Sequence, residues 1–488
     1  MGTETRIWSA LQLALFGDAA IGTGNRIVIA VAGSGKTSSG EQMVKRVRGS
    51  HVYLAFNKPI ATELSARGLN GRTFHSICYS VVTKARNVKT VDADKLRRLC
   101  DAKLTGDHGQ LYGSFIQRLV GLARNAGIGC LVDNVDSAWY DLIDHHDLQL
   151  ESELADVTKA VELAQQLLVW SNESTMVDFD DLLYFAVKDG LVMPKFDNVF
   201  VDEAQDTNAI QRAIIKKMMK PTSRLFAIGD PAQAIYGFRG ADSNSMNMIK
   251  EEFNCTEMPL TVSYRCATSI VAYAQQWVDH IQAAPDAPEG EVVDLNYDWN
   301  TGNFKPNDLV VCRTTAPIIT LAYRMLKARV PVRVMGREIG QGLKSLIKKM
   351  NARTMEQLES KLDVWSAREC EKARVKNQDS KVEAIQDKCD AIKCLIDGLD
   401  EGDRSIYALN NVIDKLFSDA VNCTVLATIH KSKGLEADRV FWLNSSQCPS
   451  KWAKQAWQVQ QENNLCYVAT TRAKTSLFLI EEKKEKSR

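Results

Sequence analysis

Apolar residues in this chain fall into short bursts separated by stretches where they recur every third or fourth position. The bursts are Ile27–Val31, Val52–Ala55, Val199–Val201, Leu225–Ile228, Leu309–Val311, Val425–Ala427, Val440–Leu443 and Leu477–Ile480. An unbroken apolar run of that length marks a strand buried on both faces. Between the bursts, DKLRRLCDAKL and SELADVTKAVELAQQLLVW carry the helical period. Strands alternating with helices predict an α/β chain with largely parallel sheets.

The pattern also divides the chain. One α/β unit is expected from residues 1–84 and 170–253, with 85–169 as an inserted helical subdomain. A second is expected from 254–342 and 421–488, interrupted by a short charged helical insert at 343–420. Within that insert, Thr354 and Gln357 fit a capping box, followed by Met355, Leu358 and Leu362 at helical spacing. Ser405 opens another helix, with Ile406, Leu409, Val412 and Leu416 on one side.

Composition adds bounds. A chain of 488 residues exceeds one ordinary core, and 45% hydrophobic content suits a soluble globular protein. Lys and Arg number 61 against 60 Asp and Glu, so nucleic-acid binding would need a local groove, not bulk charge. The 12 cysteines form no C-x-x-C pair, which argues against a zinc ribbon or disulfide framework and for a reducing compartment. MGTETRIWSA is neither a signal peptide nor a myristoylation site, and no apolar run nears the ~18 residues of a membrane span. The tail EEKKEKSR reads as a solvated end.

Candidate chemistry begins at AVAGSGKT, residues 30–37. It fits the phosphate-cradle pattern G-x-x-x-x-G-K-[ST] except that Ala30 stands at the first glycine. A strand leads in and a helix starting near SSGEQMVKRV leads out, so backbone N–H groups and the helix dipole would face phosphate oxygens. Gly33, Ser34 and Gly35 form the turn; Lys36 would reach the β- and γ-phosphates and Thr37 would hold Mg²⁺. A second strand ends in VFVDEAQD, where Asp202 would hold Mg²⁺ through water and Glu203 would act as general base. Together the two segments predict NTP hydrolysis.

Further segments narrow the purpose: TFHS at 73–76, GDPAQAIYGFRGAD at 229–242, SYR at 263–265, TVLATIHKSKGLEADR at 424–439 and LCYVATTRAK at 465–474. With GSGKT and DEAQD they resemble, in order and over nearly the whole chain, the motif set of superfamily 1A DNA helicases of the UvrD/Rep/PcrA type. LAFNK followed by TFHS also resembles the F-box DNA helicase branch and some phage helicases.

The resemblance implies two RecA-like parallel-sheet domains, each with a helical insertion. It implies that Tyr264 stacks on adenine and that Arg265 and Arg472 contact the γ-phosphate. Gln233 would sense that phosphate, and Glu436 would contact ribose. Gln12 is a candidate adenine reader, or else a surface glutamine on an amphipathic helix. Ser38 follows GKT where relatives often carry arginine, leaving one phosphate-side contact fewer. ATP would bridge two lobes through its γ-phosphate. For single-stranded DNA, the stacking candidates are Phe56, Phe74, Tyr236 and Phe238, the last where many relatives carry Trp. A core position is the alternative for Phe74 and Tyr236. Asn57, Thr73, His75, Arg239 and His430 would add backbone or sugar contacts.

The expected activity is an ATP- and Mg²⁺-dependent DNA helicase moving 3′→5′, the direction coming from the resemblance alone. The alternative is a translocase that strips proteins from DNA or serves a nuclease or defence partner without productive unwinding. Intact Lys36, Asp202, Glu203 and Arg472 argue against a scaffold with a degenerate site. Expected partners are single-stranded and tailed duplex DNA and a replication, repair or nuclease protein, with no membrane. The expected location is the cytoplasm of a bacterial or phage-infected cell, on the nucleoid.

Overall fold

The computed structural model describes residues 7–146, 148, 150, 154–237, 244–375, 379–400, 402 and 404–482. It separates into two compact units, residues 1–261 and 262–488.

The first unit is built on a six-stranded sheet in which every paired strand is parallel. Its strands are β1 (Arg26–Ala30), β2 (His51–Leu54), β3 (Gly71–Arg72), β4 (Phe196–Val201), β5 (Met219–Gly229) and β6 (Thr256–Leu260), in the order β3-β2-β4-β5-β1-β6. Successive residues point to opposite faces, so each strand feeds two cores. Val199, Val201, Leu225 and Ala227 join one cluster with the helices Phe74–Arg86, His108–Ala126, Val157–Glu173 and Phe179–Lys188. Phe200, Phe226 and Ile228 join the other with Leu15, Phe16 and Met43. On that second face Tyr53, Phe200 and Phe226 stack in a row, with ring centroids 5.7 and 4.7 Å apart.

The helices of 85–169 share their core with the first sheet. A buried ionic group ties them to the helix Phe179–Lys188. Lys95 Nζ lies 2.6 Å from Asp181, and Arg124 Nη1 lies 2.8 Å from Asp178 and 3.4 Å from the other Asp181 oxygen. The expected boundary at 253/254 shifts, because β6 completes the first sheet beside β1. Pro259 conceals this strand in the sequence, and an edge position tolerates the missing N–H.

The second unit carries another all-parallel sheet. Val262–Ser263 (β7) and Gln282–Ala283 (β8) pair separately. The main strands are β9 (Glu291–Asn296), β10 (Leu309–Cys312), β11 (Val332–Val334), β12 (Thr424–Thr428), β13 (Ala437–Leu443) and β14 (Ala473–Ile480), ordered β11-β12-β10-β13-β14-β9. Residues 343–420 are mostly helical where described, and their Leu358, Leu362, Ile392 and Leu395 pack in one cluster with Val310 and Leu426 of the sheet. Thr354 Oγ1 accepts from the Gln357 N–H at 3.3 Å, while Gln357 reaches back to the Arg353 N–H instead of that of Thr354. Ser405 caps the helix Ile406–Leu416. No helix among the described residues is long and apolar enough to cross a membrane.

Candidate functional site

Three parallel strands of the first sheet end on the same edge, which brings three separate sequence segments together. After β1, Gly33 and Gly35 take φ of 72° and 78°, the left-handed region where a side chain costs about 1–2 kcal/mol. The helix Lys36–Val44 starts directly from that turn. The Ser34 hydroxyl in the turn is buried and has no hydrogen-bond partner. After β4 come Asp202 and Glu203; after β5 comes Asp230.

The polar groups on this edge form a connected series. Thr37 Oγ1 donates to Asp202 Oδ2 at 3.4 Å, and Lys36 Nζ lies 3.9 Å from Glu203 Oε1. Gln205 donates to the other Glu203 oxygen, while its own carbonyl accepts the Asp230 N–H at 3.0 Å. Gln233 Nε2 then donates to Asp230 Oδ2 at 2.7 Å. Burial, and then the charge of Glu203, push the Asp202 carboxyl up to about 7 against the pull of Lys36. Burial likewise raises Asp230, with Lys36 and Gln233 opposing. Glu203 is held at φ 50°, ψ 44°, a left-handed backbone that a non-glycine residue rarely adopts. Gly229 makes room: a Cβ there would meet Gln205 Oε1 at 2.6 Å.

Gln205 and Asp230 were not among the residues expected from sequence, although both lie inside quoted motifs. Their roles come from strand order, which sets β5 between β4 and β1. Gln12 is buried, not on the surface. It completes a capping box with Ser9, and its amide donates to Ser39 Oγ at 3.1 Å and Ser34 O at 3.4 Å. Ser38 sits in the first turn of the helix that follows the cradle.

The expected strand-contact residues divide. Phe56 is exposed and stacks on Tyr236, rings 5.9 Å apart and 5° from parallel. Tyr236 is only half-buried, three residues beyond Gln233. Phe74, by contrast, is buried among Ile77, Cys78 and Val82, so it is a core residue and presents no stacking face. Asn57 and Thr73 cap the helices Lys58–Ala66 and Phe74–Arg86. Burial lowers the His75 pKa, which favours a neutral ring, and that ring stands edge-on to the exposed Phe179 at 6.5 Å. Phe238 and Arg239 lie outside the described residues.

In the second unit Tyr264 is exposed and Arg265 Nε is 2.6 Å from Glu436. Lys474, also missed, holds the other Glu436 oxygen at 2.9 Å. Burial would raise Glu436, but Arg265 and Lys474 outweigh it and leave its pKa lowered. Arg472 is buried and donates to Val468 O and Leu435 O, each at 3.1 Å. His430 is half-buried beyond β12, in the turn after Thr428.

Comparison with known proteins supplies the kinship. Residues 38–254 match the UvrD/REP helicase N-terminal domain, and residues 424–480 match the UvrD-like helicase C-terminal domain. A probable DNA helicase II homolog of Mycoplasma pneumoniae is 27% identical over 305 residues, covering 55% of this chain and 42% of that protein. F-box DNA helicase protein 1 of Schizosaccharomyces pombe is 23% identical over 499 residues, covering 93% of this chain and 55% of its own. DNA helicase II of Escherichia coli is 27% identical over 193 residues, 33% of this chain and 27% of that protein. The chain thus spans about half, or less, of the length of these curated relatives.

Proposed function

The chain belongs to the UvrD-like helicase family, and from that premise we propose that it is an ATP-driven motor that moves 3′→5′ on single-stranded DNA and unwinds duplex, in replication, repair or recombination. One observation carries the reading. The series Lys36, Glu203, Gln205, Asp230, Gln233 runs from the phosphate cradle to within three residues of Tyr236, which stacks on Phe56. Hydrolysis chemistry at one end and an aromatic platform for bases at the other are joined by an ion pair, three hydrogen bonds and the short stretch of chain from Gln233 to Tyr236, inside one compact unit.

The residues fit both ATP and Mg²⁺. Buried Ser34 Oγ lacks a partner beside the cradle, and a hydroxyl with a carboxylate suits a hard cation. Thr37 and Asp202 would hold Mg²⁺, which when bound supplies positive charge against the phosphate oxygens. The turn's backbone N–H groups and Lys36 would bind and orient the triphosphate. Glu203 would take the proton of the attacking water, its carboxylate held in aim by Gln205. Gln233, tied to Asp230, would report the γ-phosphate toward Tyr236. From the second unit, Tyr264 is assigned to adenine, Glu436 to ribose and Arg265 and Arg472 to the γ-phosphate, as the family resemblance implies. His430 and His75 are assigned to the strand.

The test pairs ATP turnover with unwinding of duplexes carrying a 3′ or a 5′ single-stranded tail. Glu203→Gln should retain ATP binding and lose turnover; Lys36→Ala should weaken both. Wild-type turnover by Glu203→Gln would remove the general-base role. Unwinding from the 5′ tail alone would overturn the direction, and strand-stimulated turnover without unwinding would favour the translocase reading.

A further inference from the structure

The second unit contains a cleft of about 290 Å³ that none of the residues assigned so far lines. Tyr273, Trp277 and Trp442 form its apolar walls, and Asp294 and Glu481 bring carboxylates to it. Trp442 is the penultimate residue of β13, Glu481 directly follows β14, and Asp294 lies in the second half of β9. Because these strands are parallel, the cleft opens at their carboxyl ends, where open parallel sheets receive ligands. Glu436 and Arg472 directly precede the first residues of β13 and β14, at the other end of the sheet.

Size and chemistry narrow the occupant. The volume sits at the lower edge of the roughly 300–1,000 Å³ range of small-molecule sites, enough for one long side chain. The rings do not lie flat on one another. Trp277 is edge-on to Tyr273 at 5.6 Å and 73°, and tilted 53° to Trp442 at 6.4 Å. Ring faces set at angles to one another suit a cation. Glu481 is fixed by Ser445 Oγ at 3.1 Å and by the Ser446 N–H and hydroxyl, each at 2.9 Å. Asp294 is fixed by the Asn296 N–H at 3.0 Å. No lysine or arginine lines the cleft, and among the described residues neither carboxylate has an ion-pair partner. The two negative charges are positioned but uncompensated, which disfavours a phosphate backbone. Finally, β9 is an edge strand, so one side of its backbone is open to an added strand.

We propose that this cleft docks an arginine side chain presented by an extended segment of a protein partner. A guanidinium is flat enough to lie against the partly exposed Tyr273 and Trp277 rings and offers paired N–H donors to Asp294 and Glu481. The flanking peptide would pair along β9. The proposal does not depend on the ATP and DNA roles above.

The full chain is titrated, at physiological salt, with the peptide acetyl-Val-Arg-Val-amide, following tryptophan fluorescence and calorimetry. Saturable binding is expected. The citrulline peptide, equal in shape but neutral, should bind roughly tenfold more weakly, as loss of one charged hydrogen bond implies. Arginine amide should also bind more weakly, since it cannot pair with β9. Asp294→Asn should weaken the arginine peptide by a similar roughly tenfold factor while its melting curve and ATP turnover stay at wild type. Trp277→Ala should weaken it too, and if that variant does not fold, Asp294→Asn decides. The proposal is overturned by no saturable binding, by equal affinity for the citrulline peptide, or by an Asp294→Asn protein that binds as wild type. Equal affinity for arginine amide would overturn the protein-partner assignment.

Discussion

Gln205 does two jobs with one amide, and that makes it a sharp probe of the hydrolytic edge. Its N–H₂ donates to Glu203 and its carbonyl accepts the Asp230 N–H at 3.0 Å. Gln205→Ala removes both. Asp230 is 2% exposed, so its N–H would be left buried without an acceptor, at a cost of about 1–3 kcal/mol. For a unit of this size that is a fall in melting temperature of roughly 2–10 °C. Glu203 would lose a charged hydrogen bond of about 1.5–3 kcal/mol, so turnover should fall roughly 10- to 100-fold if the bond orients the base in the transition state. Gln205→Glu keeps an acceptor for the Asp230 N–H but sets a second buried carboxyl against Glu203, so turnover and stability should both fall. The assay is steady-state ATP hydrolysis with and without single-stranded DNA, alongside calorimetric melting. An effect on kcat with KM for ATP nearly unchanged is expected. Wild-type kcat in both variants would refute the idea that Gln205 positions Glu203.

Phe56→Ala removes the exposed half of the Phe56–Tyr236 stack and should weaken single-strand binding by about 1–3 kcal/mol, read by fluorescence anisotropy at fixed salt. DNA-free ATP binding should not change, and an unchanged strand affinity would mean that the pair is not the platform. Arg124→Met leaves Asp178 and Asp181 with less compensation in a buried site and should cost about 3–5 kcal/mol in urea unfolding; a loss well under 1 kcal/mol would show that the group contributes little. Burial, with Asp178 adding, pushes the Asp180 carboxyl from 3.8 up to about 6. The native state therefore holds the extra proton, and stability falls as pH rises through that window. Asp180→Asn should gain on the order of 1–2 kcal/mol at pH 7, after allowance for partial exposure, and nothing near pH 4; a gain equal at both pH values would contradict the shift.

By itself the sequence determined the elements whose signal is local. All eight apolar bursts became strands, because a strand covered on both faces must be apolar at every position. The cradle, with Gly33 and Gly35 left-handed, follows from glycine's freedom at positive φ. Tertiary structure decided what depends on neighbours far along the chain. β6 and β9 escaped because edge strands carry Pro259 in one case and mixed polarity in the other, and β3, β7, β8 and β11 are too short for any period. Phe74 and Phe56 look alike in sequence as aromatics in motifs, yet helix packing buries the first and leaves the second exposed. Gln205 and Asp230 are separated by 25 positions, and only the β4–β5 adjacency makes them partners. Local composition sets which backbone a segment prefers, whereas strand order sets which side chains meet, and that order is fixed by the burial of the whole sheet.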